Sequence, residues 1–170
     1  MNLLNSAQAV GFDQPYEMLE VCHERVERSL SLLLRLGVHL QSRGNVDQQA
    51  RDAASDVLRY FDIAAPHHHE DEERHVLPLL RQMGRGDLAD RIAADHIQMR
   101  AAYLALRPGL EALRDQGQMP DTRAWSAFAA FYRAHIVLEE ADAYPPARAL
   151  SDADRLATMG AEMATRRRSG

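Results

Sequence analysis

Apolar residues recur at steps of three and four along four long stretches of this chain, and a histidine interrupts each of the four series. The first reads Tyr16, Leu19, His23, Val26, Leu30, Leu33, Gly37, Leu40, and the second Val57, Phe61, Ala65, His68, Glu72, Val76, Leu79. The third reads Leu88, Ile92, His96, Met99, Tyr103, Leu106, Leu110, Leu113, and the fourth Trp125, Phe128, Tyr132, His135, Glu139, Asp142. Such spacing follows one face of a helix, so each series is a seam to be buried against other helices. No Val/Ile/Thr-rich alternating segment argues for a strand, and the expected fold class is all-α.

Capping and turn residues divide the chain accordingly. Pro15 opens a first helix that stops at Gly44-Asn45. A second is expected from Asp47 to Met83, ended by Gly84-Arg85-Gly86, with Pro66 removing a backbone donor and kinking it. A third runs from Asp87 to Gln116 with Pro108 inside it, and a fourth from Asp121 to about Tyr144-Pro145-Pro146. Ser151-Asp152-Ala153-Asp154 offers a cap and an acidic first turn to a shorter fifth helix over 151–168. A chain of 170 residues with 46% hydrophobic composition makes one domain, 1–170, whose core spans about 15–150.

Two of the seams carry one phrase. His68-x-x-x-Glu72-Glu73 has Pro78 five residues later, and His135-x-x-x-Glu139-Glu140 has Pro145 five residues later. A His and a Glu four apart project from one helix face, so each phrase offers a nitrogen and a carboxylate to a common point. His23 precedes the first phrase as His96 precedes the second, and the phrases lie 67 residues apart, which suggests a pseudo-twofold. Short connections favour antiparallel neighbours, giving an up-down-up-down four-helix bundle with a short additional C-terminal helix. All four histidines and both glutamates then face its axis.

Composition excludes several functions. The net charge of -5 gives no reason to expect nucleic acid, and Arg166-Arg167-Arg168 is too short to reverse that. The longest apolar stretch, Leu30 to Leu40, is interrupted by Arg35 and His39, and no basic-then-apolar leader follows Met1, so no membrane association and a cytoplasmic location are expected. Cys22 is the only cysteine, which rules out an intramolecular disulfide and an all-thiolate metal site within one chain.

The interior carboxylates carry the functional argument. Glu72 and Glu139 on buried seams cost several kcal/mol each, or take up protons, unless cations neutralise them, and the seams supply no Lys or Arg there. Two divalent cations meet that need, with each glutamate free to bridge. A mixed nitrogen and oxygen set favours iron over magnesium or calcium, with zinc or manganese less favoured than iron.

These residues resemble the hemerythrin-like, HHE cation-binding family in its bacterial form. The resemblance rests on His23, the run from His67 to Pro78, the Asp95-His96 pair and His135 to Glu140, and covers roughly residues 15–150. It implies a di-iron centre bridged by the two glutamates, serving oxygen binding, oxygen or nitric oxide sensing, iron handling, or peroxide and nitric oxide chemistry. Two departures bear on that choice. The oxygen carriers of the family have two histidines on the third helix where this chain has only His96, and they close the set with an aspartate five residues after the last histidine, where Glu139 follows at four. Simple oxygen carriage is therefore not expected. Here His69 lies about 100° round the helix from His68 and is a candidate seventh ligand.

Other residues receive lesser roles. His67 is expected to be solvated, and Glu73 and Glu140 lie off the seam and read as solvent-facing, with support of a metal ligand from outside as the alternative. His75 sits at the seam edge, His39 has no partner, and Cys22 should face a neighbouring helix. Tyr16, Tyr103 and Tyr132 lie within one or two turns of a histidine and pack in the core. The function expected is binding or sensing of oxygen, nitric oxide or peroxide. A di-iron enzyme of peroxidase or nitric oxide reductase type, or an iron-storage protein, is the alternative, and a homo-oligomer is compatible with each.

Overall fold

In the computed structural model, which describes residues 10–168, every regular element is helical and no strand occurs among the described residues. The expectation of no leader after Met1, and both ends of the 1–170 domain, lie outside that range. Helix α1 (Pro15–Arg43) opens on Pro15, whose missing N–H is no loss in a first turn. It ends at Gly44 in the left-handed region (φ 69°), whose N–H closes on the Leu40 carbonyl. Asp47 caps α2 (Gln48–Arg59) by accepting from the Ala50 N–H. Its carboxylate also meets His39 Nε2 at 2.9 Å, so His39 has the partner that the sequence did not suggest.

The expected second helix is a path of several pieces. A π-helical turn over Tyr60–Ala64 links α2 to α3 (Ala65–His75), and α4 (Leu77–Gln82) follows. Pro66 offers no N–H to the Asp62 carbonyl and its ring needs room there; widening the preceding turn, with the Ala65 N–H bonded to Tyr60 O, supplies it. The chain thus passes Pro66 in a π turn. Helix α5 (Gly86–Gln116) contains Pro108 and ends at Gly117, again left-handed.

The fourth helix differs from expectation at both ends. It begins at Trp125, as α6 (Trp125–Leu138), because the Asp121 carboxylate closes a turn on the Arg123 N–H instead of capping a helix. Nor does it stop at Tyr144: a second π turn, Glu139–Ala143, carries it into α7 (Tyr144–Leu150). Helix α8 (Ala153–Arg168) starts two residues later than expected, where Asp152 Oδ1 accepts from the Arg155 N–H.

Helix α1 packs on α2 and α6, and α5 packs on α2, α4 and α6. The apolar core is in two clusters, and four helices pass between them. Along α1 the order is Leu19, His23, Val26, and along α5 Ile92, His96, Met99, each running from the second cluster to the first. Ala65, His68 and Glu72, Val76 run the other way, as do Tyr132, His135 and Glu139, Ala143. All six polar residues therefore fall in one layer between two apolar ones. Helix α8 lies against α1 and α3, where Arg166 and Arg167 pair with Asp71, a carboxylate with no exposed surface. No helix among the described residues is long and apolar enough to cross a membrane.

Candidate metal centre

The polar layer brings six of the seven sequence candidates together. His23, His68, Glu72 and Glu139 offer atoms to one point, and His96, His135 and Glu139 to another. Glu139 belongs to both groups. Its Oε2 is 3.2 Å from His23 Nε2, while its Oε1 is 2.9 Å from His135 Nε2 and 3.5 Å from His96 Nε2. Glu72 spans the gap likewise, with Oε1 at 3.3 Å from His68 Nε2 and Oε2 at 3.4 Å from His96 Nε2. Two metal–ligand bonds of about 2.1 Å at right angles separate their donors by roughly 3 Å, so these spacings would suit neighbouring ligands of a metal.

Burial tests whether a metal suits the group. Glu72 is 0% exposed and Glu139 1%, and the four histidines are at most 3% exposed. Yet Glu72 Oε2, both oxygens of Glu139, His96 Nε2 and His135 Nε2 have no hydrogen-bond partner of proper geometry. Buried orphans of this kind are costly, and two cations satisfy all of them at once.

Protonation follows the same imbalance. Burial opposes charge on His23 and His96, but Glu139 and Glu72 outweigh it and raise both to about 11. His135 is raised too, Glu139 overcoming burial. Burial dominates at His68 and lowers it to about 4. Burial and then Glu72 work against ionising Glu139, but His135, His23 and His96 hold it down at about 2. The layer thus keeps both carboxylates ionised and gathers protons around them, where a cation would compete.

The far nitrogens of the histidines set which atoms face the centre. His23 Nδ1–H donates to Glu140 Oε1 at 2.9 Å, and His96 Nδ1–H donates to Glu73 Oε1 at 2.9 Å. Glu73 and Glu140 thus face solvent, as expected, and at the same time fill the alternative role: each orients a histidine so that Nε2 points inward. Their recurrence 67 residues apart was the signal. Asp95 Oδ2 takes the His135 Nδ1–H at 3.1 Å. His68 Nδ1 has no such acceptor. The residue before His23, in the place Asp95 holds before His96, is Cys22, buried and 3.6 Å from Arg167 Nη2 on α8.

His69 falls in neither group. Its ring lies parallel to His96 with centroids 4.1 Å apart, and burial and then His96 hold its pKa well below the usual value. It forms part of the wall of a cavity of about 340 Å³ that reaches the His96 side of the centre, with Phe61, Ile97, Tyr103 and Tyr132 also lining it. Tyr103 donates to Asp62 at 2.8 Å, and Tyr132 stacks over His69. On the opposite face a groove between α1 and α6 touches His23 beside Glu140. The remaining candidates stand apart from the centre: Tyr16 bonds Ser151, His75 meets Glu162, and His67 is half-buried against α8.

Sequence reasoning missed Tyr144. The seam was expected to continue through Asp142, but the π turn rotates the chain, leaving Asp142 exposed and turning Ala143 and Tyr144 inward. The Tyr144 hydroxyl donates to Glu72 Oε1 and lies 3.1 Å from His23 Nε2, its ring stacked on His23. Burial, then Glu72 and Glu139, keep the phenol protonated far above its usual range.

Comparison with known proteins agrees with this centre. The family described as Hemerythrin HHE cation binding domain matches residues 14–162. A Haemophilus influenzae protein named only as an uncharacterized protein is 32% identical over 170 residues, covering 98% of each chain.

Proposed function

The chain belongs to the hemerythrin HHE cation-binding family, and from that premise we propose a non-haem di-iron protein that binds or senses oxygen, nitric oxide or peroxide. The observation carrying this reading is the set of orphaned atoms on Glu72, Glu139, His96 and His135, buried and faced by imidazoles. In this reading His23, His68, Glu72 and Glu139 would hold one ion, and His96, His135 and Glu139, with Glu72 Oε2 beside them, would hold the other. Iron suits a mixed nitrogen and oxygen set, and it supplies reversible electron transfer and affinity for small oxidants.

The chain's own residues do the rest. Glu73, Glu140 and Asp95 fix the imidazoles, and the two apolar layers exclude water. The cavity beside His69 and Tyr132 offers a small oxidant a way to the His96 half, and His69, stacked on His96 in its wall, is a further donor there, to the ion or to the incoming molecule. The opposite running directions of α1 and α5 against α3 and α6 support an up-down-up-down four-helix bundle around the centre. A cytoplasmic setting accords with a single thiol.

A second reading, a di-iron enzyme acting on peroxide or nitric oxide, draws on the cavity itself. About 340 Å³ with two phenols in its wall is roomier than a diatomic needs, given about 30 Å³ for a water molecule.

Metal analysis and an ultraviolet-visible spectrum of aerobically purified protein test the proposal. About two iron ions per chain and ferric charge-transfer bands are expected, with iron lost in Glu72→Ala. A protein holding no iron, or a Glu72→Ala variant as metal-loaded as the parent, overturns it. Stoichiometric reversible binding then supports sensing, and steady turnover of peroxide or nitric oxide the enzyme.

A further inference from the structure

The two halves of the centre are not equivalent. Moving back 67 residues carries His135, Glu139, Glu140 and Pro145 onto His68, Glu72, Glu73 and Pro78, but carries Tyr144 onto Leu77. Leu77 is buried and apolar, so one half of the layer has a phenol at this position and the other has none.

The π turn creates the difference. In an α-helix a residue five positions after Glu139 points about 140° away from it. The wider turn Glu139–Ala143, closed by the Tyr144 N–H on Glu139 O, returns Tyr144 to the face of Glu139. Its oxygen then meets Glu72 Oε1 and His23 Nε2, and no other polar partner is seen for it. With His23 Nδ1–H committed to Glu140, Nε2 is the nitrogen that would exchange its proton for a cation. The phenol oxygen lies 3.1 Å from His23 Nε2, the spacing of two ligands on one ion, and is hydrogen-bonded to the Glu72 oxygen that faces the same point.

We propose that Tyr144 is a further protein ligand of this centre, its phenolic oxygen binding the ion held by His23, His68, Glu72 and Glu139. The assignment rests on the di-iron reading above. As the oxygen–metal bond forms the O–H bond breaks and one proton leaves to solvent; no electron is transferred. The half with Tyr144 would then have one protein donor more than the half of His96 and His135, which lies beside the cavity and would keep more room for an external ligand.

Ferric iron bound to a phenolate absorbs in the visible, at longer wavelength than iron bound by imidazole and carboxylate alone. The test loads the full chain with ferrous salt, oxidises it with ferricyanide, and records iron content, the visible spectrum and resonance Raman scattering. The wild type should show the band with enhanced tyrosine ring vibrations, Tyr144→Phe should keep its iron and lose the band, and Tyr132→Phe should retain it. Iron-loaded wild type without the band, or a band that survives Tyr144→Phe or disappears in Tyr132→Phe, overturns the assignment while leaving the di-iron reading standing. Wild type that binds no iron overturns both. Should Tyr144→Phe not fold, wild type made with ring-deuterated tyrosine decides: enhanced vibrations that shift support a phenolate ligand, and none that shift overturn it.

Discussion

Glu140 accepts a hydrogen bond from His23 Nδ1 at 2.9 Å although its side chain is 45% exposed. A residue half in water thus sets the orientation of an imidazole that is buried. Glu73 holds His96 in the same way, so the centre is tied at two opposite points to the outer surfaces of α3 and the second π turn.

Removing either tie should weaken metal binding without unfolding the chain. Glu140→Ala and Glu73→Ala are each expected to lower metal affinity by about 10- to 100-fold, read by competition with a chelator. Glu70→Ala, on a half-exposed acid of the same helix that pairs with Arg74 and Arg166 and with no histidine, should leave affinity unchanged.

The metal-free protein should lose stability in alkali. His23 and His96 titrate at about 11 in the fold against roughly 6.5 unfolded, so the folded state binds more protons between those values. Their contribution is complete below pH ~6.5 and is lost as pH rises toward 11. His68, lowered to about 4, acts oppositely, and its contribution is lost as pH falls from about 6.5. Melting temperatures of metal-stripped protein should therefore fall on either side of neutrality. The metal-loaded protein, whose cations replace the protons, should hold its melting temperature in alkali. A metal-free profile flat from pH ~7 to ~10 would contradict the assignment of charge in the layer.

Asp71 should prove to be a stability residue. It adjoins Glu72, has no exposed surface, and binds Arg166 and Arg167 of α8. Asp71→Asn keeps the shape and removes the charge, leaving Arg167 without a carboxylate and Arg166 with only the half-exposed Glu70 and Glu162, and is expected to cost about 2–3 kcal/mol in urea unfolding. If α8 is anchored this way, proteolysis near its C-terminal end should quicken in the same variant.

Gly160 allows α8 to approach the segment before α1. A Cβ there would come within 1.9 Å of the Phe12 carbonyl oxygen and 3.0 Å of its carbon, which are backbone atoms unable to turn aside. Gly160→Ala should destabilise by about 1–3 kcal/mol despite its better helix propensity. A thermal melt checks this, with Gly86→Ala, where a Cβ meets nothing within 4 Å, as the reference.

The helical class and the six-residue cluster were legible in the chain because both depend on period. His23, His68, Glu72, His96, His135 and Glu139 sit on regular apolar seams, and residues on one seam share a face whatever the neighbours do. What the seams could not carry is any departure from 3.6 residues per turn. The π turn at Glu139–Ala143 moved the inward position from Asp142 to Tyr144; Pro145 stands two residues beyond it as Pro66 does beyond the first π turn, but a seam argument reads a proline as a kink or an end and not as a widened turn. Glu73, Glu140 and His69 were equally beyond a seam argument. Each lies at a helix edge, where the residue opposite decides its role: His96 for Glu73, His23 for Glu140, and the stacked ring of His96 for His69. Periodicity within one helix thus determined which donors enter the core, while contacts between helices, which no single helix encodes, decided how those donors are oriented and which half of the centre is left facing a cavity.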